Sequence, residues 1–349
     1  MAHDSSTSLT SISQLGEFGL IEHLTKDFPA FDARLLKAVG DDAAVVKSPG
    51  EEVQVFSSDL LLEGVHFDLA YVPLRHLGYK AVVVNLSDIV AMNAQPYGIT
   101  VNVGLSNRFS VEAVEELYAG IRLACEAYQV DLLGGDTSSS RQGLVISVTA
   151  FGRASEEQIV YRSGAQANDL ICVSGDLGAA YAGLLVLDRE KTAYLDKPDI
   201  QPDLSDYDYV VGRQLKPEAR IDIIRRLAEL QLKPSSMMDV SDGIASELHH
   251  ICRQSKKGAK IFANKLPIDH QTVAVAEEFD ISPTTFALNG GEDYELIFTL
   301  PVSAFERIKA EREITIIGHI TDDENLIQLV LETGQAVEVE AQGWQHFKS

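Results

Sequence analysis

Six short segments of the chain set carboxylates beside glycines or hydroxyl residues. They are Gly40-Asp41-Asp42, Ser57-Ser58-Asp59, Asn85-Leu86-Ser87-Asp88, Gly134-Gly135-Asp136-Thr137, Asp239-Val240-Ser241-Asp242-Gly243 and Gly290-Gly291-Glu292-Asp293. A Gly-Asp turn or an Asp helix cap explains any one of them taken alone; six together point to a shared purpose. Asp88 is the most telling, because it lies inside the apolar run Lys80 to Met92, where an isolated carboxylate is costly unless paired, hydrogen-bonded or metal-bound. An internal ion pair with Lys80 or a distant arginine is one solution and a metal ion is another. On a helix Asn85 and Asp88 share a face. Several oxygen ligands without a His or Cys cluster select hard cations, Mg²⁺ above all where phosphates complete the shell. The chain carries no GxxxxGK[ST] loop, no HRD and DFG pair, no GxGxxG and no GxSxG, so phosphate chemistry here requires another scaffold.

The elements that position these acids follow from periodicity. Val53 to Phe56 reads as a strand running into Ser57-Ser58-Asp59, and Lys80 to Met92, long and free of internal Gly or Pro, as a buried helix. Gly98 to Leu105 alternates as a half-buried strand, and Ser110 caps a helix carrying Val111, Val114, Leu117, Tyr118, Ile121, Cys125 and Tyr128. A strand then ends at Gly134-Gly135-Asp136, and another covers Leu144 to Phe151. In the second half a strand over Asp169 to Val173 leads through Gly175-Asp176-Leu177-Gly178 to an Ala-rich helix. Residues 191–210, rich in Asp and broken by Pro, read as a solvated loop. Ile244, Leu248, Ile251 and Cys252 mark a helix ending near Lys256, Lys257 and Gly258. Glu295 to Leu300, Ile314 to Ile317, Leu326 to Leu331 and Ala336 to Val339 read as strands. The class is α+β.

The 349 residues include 52 Asp and Glu against 29 Lys and Arg, a formal net charge of −23. That balance disfavours nucleic acid or an anionic membrane as partner, since both require basic patches. No apolar stretch approaches the roughly 18 residues of a membrane span, and residues 1–10 lack the basic and apolar regions of a secretory signal. Cys125, Cys172 and Cys252 stand far apart in no metal-binding or redox spacing, consistent with a reduced, cytoplasmic protein.

In combination and order, the motifs resemble the thiamine-monophosphate kinase family, part of the aminoimidazole ribonucleotide synthetase-like superfamily. The resemblance rests on Gly40-Asp41-Asp42-Ala43, Ser57-Ser58-Asp59, Gly64-Val65-His66-Phe67, Tyr79 to Asp88, Leu133 to Thr137, Arg162 to Ala165, Asp239 to Gly243, Asn289 to Glu295 and Gly343-Trp344-Gln345-His346-Phe347. It covers about residues 15 to 347. Family members commonly have Ser-Thr-Asp where this chain has Ser57-Ser58-Asp59, and Ser keeps the hydroxyl oxygen. The 191–210 stretch is also longer than the family leads one to expect.

The resemblance implies ATP- and Mg²⁺-dependent transfer of the γ-phosphoryl group to thiamine monophosphate, giving thiamine diphosphate and ADP. It also implies two α+β domains, a homodimer formed through the N-terminal sheet, and neither nucleic acid nor membrane as partner. The expected division is a disordered lead-in over 1–14, an N-terminal ATP- and Mg²⁺-binding, dimerising domain over 15–152, and a C-terminal α+β domain over 153–349. Carried over by motif, Asp42, Ser57, Ser58, Asp59, Asp88, Asp136, Asp239 and Asp242 would hold several Mg²⁺ ions. Tyr118, Gly135, Asp136, Arg153 and Ser241 would contact ATP, and His66, Glu292 and Trp344 would line the thiamine phosphate pocket. The acceptor's second pKa is near 6, so an anionic oxygen is available at neutral pH and no catalytic general base is called for. The competing expectations are aminoimidazole ribonucleotide synthetase activity and a nucleotide-binding regulator without turnover. Selenophosphate synthetase and the hydrogenase maturation dehydratase fit poorly, since this chain has neither a Cys near its N-terminus nor a terminal Cys.

Overall fold

The computed structural model describes residues 11–197 and 202–341. Helix α1 (Ile12–Thr25) opens within the stretch read as a lead-in and bends at Gly16, whose φ of 65° favours glycine. The rest of that lead-in, residues 1–10, lies outside the described residues. Strands β1 (Leu35–Lys37), β2 (Ala44–Lys47), β3 (Glu52–Leu62), β4 (Gln95–Leu105), β5 (Asp131–Ser139) and β6 (Val145–Ser155) form a first sheet in the order β1-β2-β3-β6-β4-β5. Helix α2 (Leu74–Ala91) joins β3 to β4, and α3 (Val111–Tyr128) joins β4 to β5. Because β4 pairs parallel with β5 and both β3 and β4 run antiparallel to β6, the two helices are crossovers lying side by side on one face.

Most of α2 is buried, because the helix is enclosed by the first sheet, by α3 and by a strand of the second sheet. Its apolar residues therefore show no one-sided stripe, which is what made strand and helix hard to separate by periodicity. The two crossover helices touch backbone to backbone. A Cβ on Gly78 would sit 2.0 Å from the Leu117 carbonyl, and one on Gly120 would sit 1.9 Å from that of Arg75.

The second sheet has the order β13-β12-β9-β11-β7-β10-β8, with strands β7 (Leu170–Ser174), β8 (Ser236–Asp239), β9 (Gly258–Phe262), β10 (Leu296–Leu300), β11 (Ile314–Thr321), β12 (Ile327–Val330) and β13 (Ala336–Glu338). It is antiparallel except for β12 beside β9. Helices α4 (Ala179–Asp196), α5 (Asp208–Leu215), α6 (Ile221–Glu229), α7 (Ile244–Ser255), α8 (His270–Glu278), α9 (Pro283–Asn289) and the short α10 (Phe305–Ile308) connect its strands. One hydrophobic cluster runs from Val45 and Val55 through α2 to Met237 and Phe298, so both sheets share a core.

Two sequence expectations need correction here. The segment 191–210 is not one loop: α4 continues to Asp196 and α5 begins at Asp208. Asp196 and Asp208 lie on exposed helical turns and Asp203 and Asp206 on the connection, while residues 198–201 lie outside the described residues; the polarity of these Asp residues concealed the helical ends. The strand expected to stop at Asp136 continues to Ser139, because backbone pairing with β4 does not depend on the small polar side chains.

Candidate active site

Carboxylate oxygens of Asp42, Asp88 and Asp239 lie within 4.8 Å of one another. The three residues come from the turn before β2, from the last turns of α2 and from the end of β8, so neither sheet alone makes the cluster. Asp59 belongs to the same electrostatic group. On β3 the inward positions Val53, Val55, Ser57, Asp59 and Leu61 alternate with outward ones, and the inward face meets α2. Ser57 donates its hydroxyl proton to Asp88 Oδ2. The Asp59 amide donates to Asn85 Oδ1 at 2.9 Å, and Asn85 Nδ2 is itself bonded to the Ala81 carbonyl at 3.0 Å.

The acids strain each other's ionisation. Burial pushes Asp42 up to about 7 despite the neighbouring Arg162, and burial with Glu17 nearby pushes Asp59 up to about 6. Asp239 is raised to about 6 by burial, tempered by its Ser87 hydrogen bond and by Arg162. Asp88 is held well above the ordinary carboxylate range, by burial first and then by the charges of Asp59, Asp239 and Asp42. Neither Lys80 nor an arginine neutralises Asp88. Among the described residues Arg162 alone answers the cluster directly, with Nη2 at 2.6 Å and Nε at 3.1 Å from Asp42 Oδ1. Among the described residues the buried Asp42 Oδ2 has no hydrogen-bond partner. Orphaned oxygen and uncompensated carboxylates are the donor set that a hard divalent cation requires.

The second sheet's loops close over this group. The Glu292 amide donates to the Ser241 carbonyl at 2.7 Å, and the Tyr294 amide to the Val240 carbonyl at 2.9 Å. The amides of Ser241 and Asp242 donate to the buried Glu247 Oε1 at 3.1 and 2.8 Å. The Gly-Gly-Glu-Asp turn is thus strapped to the Asp239-to-Gly243 turn, and its residues divide their work. Asp293 accepts from the amides of Gly178 (2.7 Å) and Ala180 (3.3 Å), capping α4 from a distance. Glu295 forms buried ion pairs with Arg213 and Arg220. Glu292 remains partly exposed and bonds Lys80 and Gln214. In the first motif Asp41 is likewise structural, paired with Lys37 at 2.9 Å.

The structure does not gather every candidate within one chain. The Ser58 hydroxyl points to the opposite face of β3, bonded to the Val148 carbonyl and to Thr149 Oγ1, each at 3.1 Å. The strand's alternation sets this hydroxyl apart from those of Ser57 and the acids. Asp136 and Gly135 lie on β5, three strands from β3, or about 14 Å at ordinary strand spacing. Arg153 is exposed, on the face away from α2, with its guanidinium 5.9 Å from the Tyr97 ring centre. Tyr118 lies beside the Gly78 crossing, and Asp88 is ten residues farther along α2, about 15 Å. Tyr118 lines an apolar cavity of about 410 Å³ with Leu105, Phe109, Val111 and Val114. His66 follows β3, its Nδ1 accepting from the Leu62 amide at 3.0 Å. Trp344 lies outside the described residues.

Sequence reasoning passed over Arg162, Ser87, Asn85, Glu247 and Lys80 as site residues. Each stands within or beside a quoted motif, but its role depends on a partner far away in sequence.

The AIR synthase related protein family models match this chain twice, the N-terminal domain over residues 40–154 and the C-terminal domain over 166–329. The thiamine-monophosphate kinase of Aquifex aeolicus (strain VF5) is 34% identical over 337 residues, covering 96% of this chain and 99% of that one. That of Bacillus subtilis (strain 168) is 32% identical over 340 residues, covering 96% and 100%. Among solved structures, AaThiL complexed with AMPPCP and TMP superposes with a TM-score of 0.82 at 32% identity, covering 98% of this chain and all of that one. The hydrogenase maturation protein HypE of E. coli shares the fold alone, with a TM-score of 0.68 at 18% identity over 84% of this chain and 87% of that one. Identity of 34% and 32% to these two kinases over nearly the full length of both chains places this chain in the thiamine-monophosphate kinase family.

Proposed function

We propose that the chain transfers the γ-phosphoryl group of ATP to thiamine monophosphate, yielding thiamine diphosphate and ADP. The observation that carries this reading is the convergence of Asp42, Asp88 and Asp239 within 4.8 Å, on a chain similar to AaThiL complexed with AMPPCP and TMP. Asp42, Asp88 and Asp239, with Ser57, Asp59 and Asp242 beside them, are the residues that would hold Mg²⁺. Bound Mg²⁺ supplies the positive charge that lets the oxygens of two polyanions approach an acidic cleft. Asn85, Ser87 and Arg162 hold the carboxylates in place. Glu292 and His66 would receive the thiamine phosphate, and Ser241 would contact ATP. The acceptor phosphate is anionic at neutral pH, so direct in-line transfer needs no enzyme nucleophile or base.

The cavity beside Tyr118 offers an apolar wall for a base, and Gly135, Asp136 and Arg153 extend the nucleotide-binding role across the first sheet. Since Asp136 and Tyr118 stand apart from the acids of their own chain, the reading includes a homodimer formed along β5, the exposed edge of the first sheet. Residues 15–152 would carry that interface and residues 153–349 would close over the acceptor. Among the described residues no helix is long and apolar enough to cross a membrane.

Incubation with Mg-ATP and thiamine monophosphate, followed by chromatography of the products, tests the assignment. Stoichiometric thiamine diphosphate and ADP are expected. ATP binding without thiamine diphosphate would overturn it in favour of a regulator, and full turnover in excess EDTA would overturn the metal-dependent mechanism.

A further inference from the structure

Lys80 is 5% exposed, and lysine is almost never buried unless it is paired. Its ammonium lies 2.9 Å from Glu292 Oε2 and 3.0 Å from the Gln214 carbonyl. Gln214 Nε2 bonds the same Glu292 oxygen at 2.7 Å. Three segments thus meet at one atom: α2, α5 and the Gly-Gly-Glu-Asp turn. Glu292 Oε1 has no partner among the described residues, and the side chain is 31% exposed. Its backbone adopts φ of 57°, in the left-handed region. A non-glycine residue stays there only when its surroundings over-determine it. Here the amide is tied to Ser241 and the side chain to Lys80 and Gln214.

We propose that Lys80, together with Gln214, is the positioning residue of Glu292 for recognition of the thiamine phosphate, a role resting on the reading that Glu292 lines that pocket. Stability alone is a poor reason to keep this arrangement, since replacing a buried ion pair by apolar side chains is often neutral or stabilising. Fixing one carboxylate oxygen does have a use. It orients the other as a preset acceptor, which is what an N–H-bearing heteroaromatic such as the acceptor's aminopyrimidine requires. Lys80 also precedes Asp88 on the same helix by eight residues, about 12 Å. One rigid, buried helix therefore presents a metal-site carboxylate near one end and the anchor of the acceptor pocket nearer the other.

Steady-state kinetics with thiamine monophosphate varied at saturating Mg-ATP, on the full chain, test this with Lys80→Met, Lys80→Arg, Gln214→Met, Glu292→Gln and the Lys80→Met/Glu292→Gln double variant. Lys80→Met is expected to raise KM for thiamine monophosphate about tenfold, the size of a lost charge-assisted hydrogen bond. KM for ATP should stay within about twofold, and Lys80→Arg should recover part of the loss. In the Glu292→Gln background Lys80→Met should add little, because its effect passes through Glu292. If Lys80→Met does not fold, Gln214→Met carries the test, with a smaller rise of about threefold in the same KM. An unchanged KM in the Lys80 and Gln214 variants, with Glu292→Gln raising it, overturns the positioning role. So does an additive double variant that weakens both substrates alike. An unchanged KM in Glu292→Gln instead overturns the pocket assignment itself.

Discussion

Ser87 Oγ donates a 2.6 Å hydrogen bond to Asp239 Oδ2. The pair spans the two sheets: Ser87 sits on α2, next to Asp88, and Asp239 ends β8. Through this one bond the second sheet's carboxylate is held against the helix that carries the first half's, so the two halves cannot shift independently without pulling the acids apart.

Ser87→Ala removes that bond where both groups are buried. The expected cost is about 1–2 kcal/mol in stability, with Mg²⁺ affinity falling about tenfold or more, as for other groups that orient metal ligands. Thermal melts with and without Mg²⁺, and the Mg²⁺ concentration giving half-maximal rate, measure the two effects. An unchanged Mg²⁺ requirement would leave Ser87 with a packing role only.

Asp88→Asn separates function from stability. Burial, and then the charges of three neighbouring acids, hold the ionisation of Asp88 well above the ordinary range, so ionising it in the metal-free protein costs stability. The amide keeps the shape and can still accept from Ser57. The variant should melt higher than the parent without metal, by about 1–2 kcal/mol or roughly 2–6 °C, while turnover falls by at least about a thousandfold. A lower metal-free melting temperature would contradict the electrostatic reading of the cluster.

Asp42, Asp59 and Asp239 titrate at about 7, 6 and 6 against a reference of 3.8. The folded, metal-free chain therefore binds more protons than the unfolded chain between about pH 4 and 7, and its stability falls as pH rises through that window. His250, pushed down to about 3 by burial, acts in the opposite sense, losing stability as pH falls below its ordinary value. The Mg²⁺-dependent increment in melting temperature cancels the His250 contribution. It should be small at pH 5 and grow to several degrees by pH 8, read by differential scanning fluorimetry at fixed free Mg²⁺. A flat increment would show that these acids do not hold the ion.

The mix of helices and strands, the buried helix bearing Asp88, the Ser110 cap and the main strands were legible from the sequence because each leaves a local pattern. Ser110 Oγ does accept from the Ala113 amide at 3.2 Å. Roles fixed by distant partners left no such pattern. Nothing local distinguishes Asp41 from Asp42, or Glu292 from Asp293, yet Lys37 takes Asp41 and the α4 amides take Asp293, leaving Asp42 in the acid cluster and Glu292 on Lys80 and Gln214. Ser58 is the converse case. The motif includes it, but the two-residue period of β3 turns its hydroxyl away.

The edge of the first sheet carries the remaining prediction. All nine residues of β5 are exposed in the single chain, including Leu132 at 50% and Leu133 at 52%. An open, partly apolar edge strand is a liability unless another chain covers it. At Gly135 a Cβ would stand 1.8 Å from the Val101 carbonyl, so the strand lies close against β4 and presents its backbone and leucines outward. Light scattering should therefore give twice the chain mass at micromolar concentration. Leu132→Lys with Leu133→Lys should shift the protein toward monomer and reduce turnover most at low protein concentration, where dissociation is favoured. Because the leucines lie about three strands from Asp59, a loss of rate that recovers on raising the protein concentration would come from association and not from damage to the acids. A native mass equal to one chain, with full turnover, would remove the dimer from the proposed mechanism.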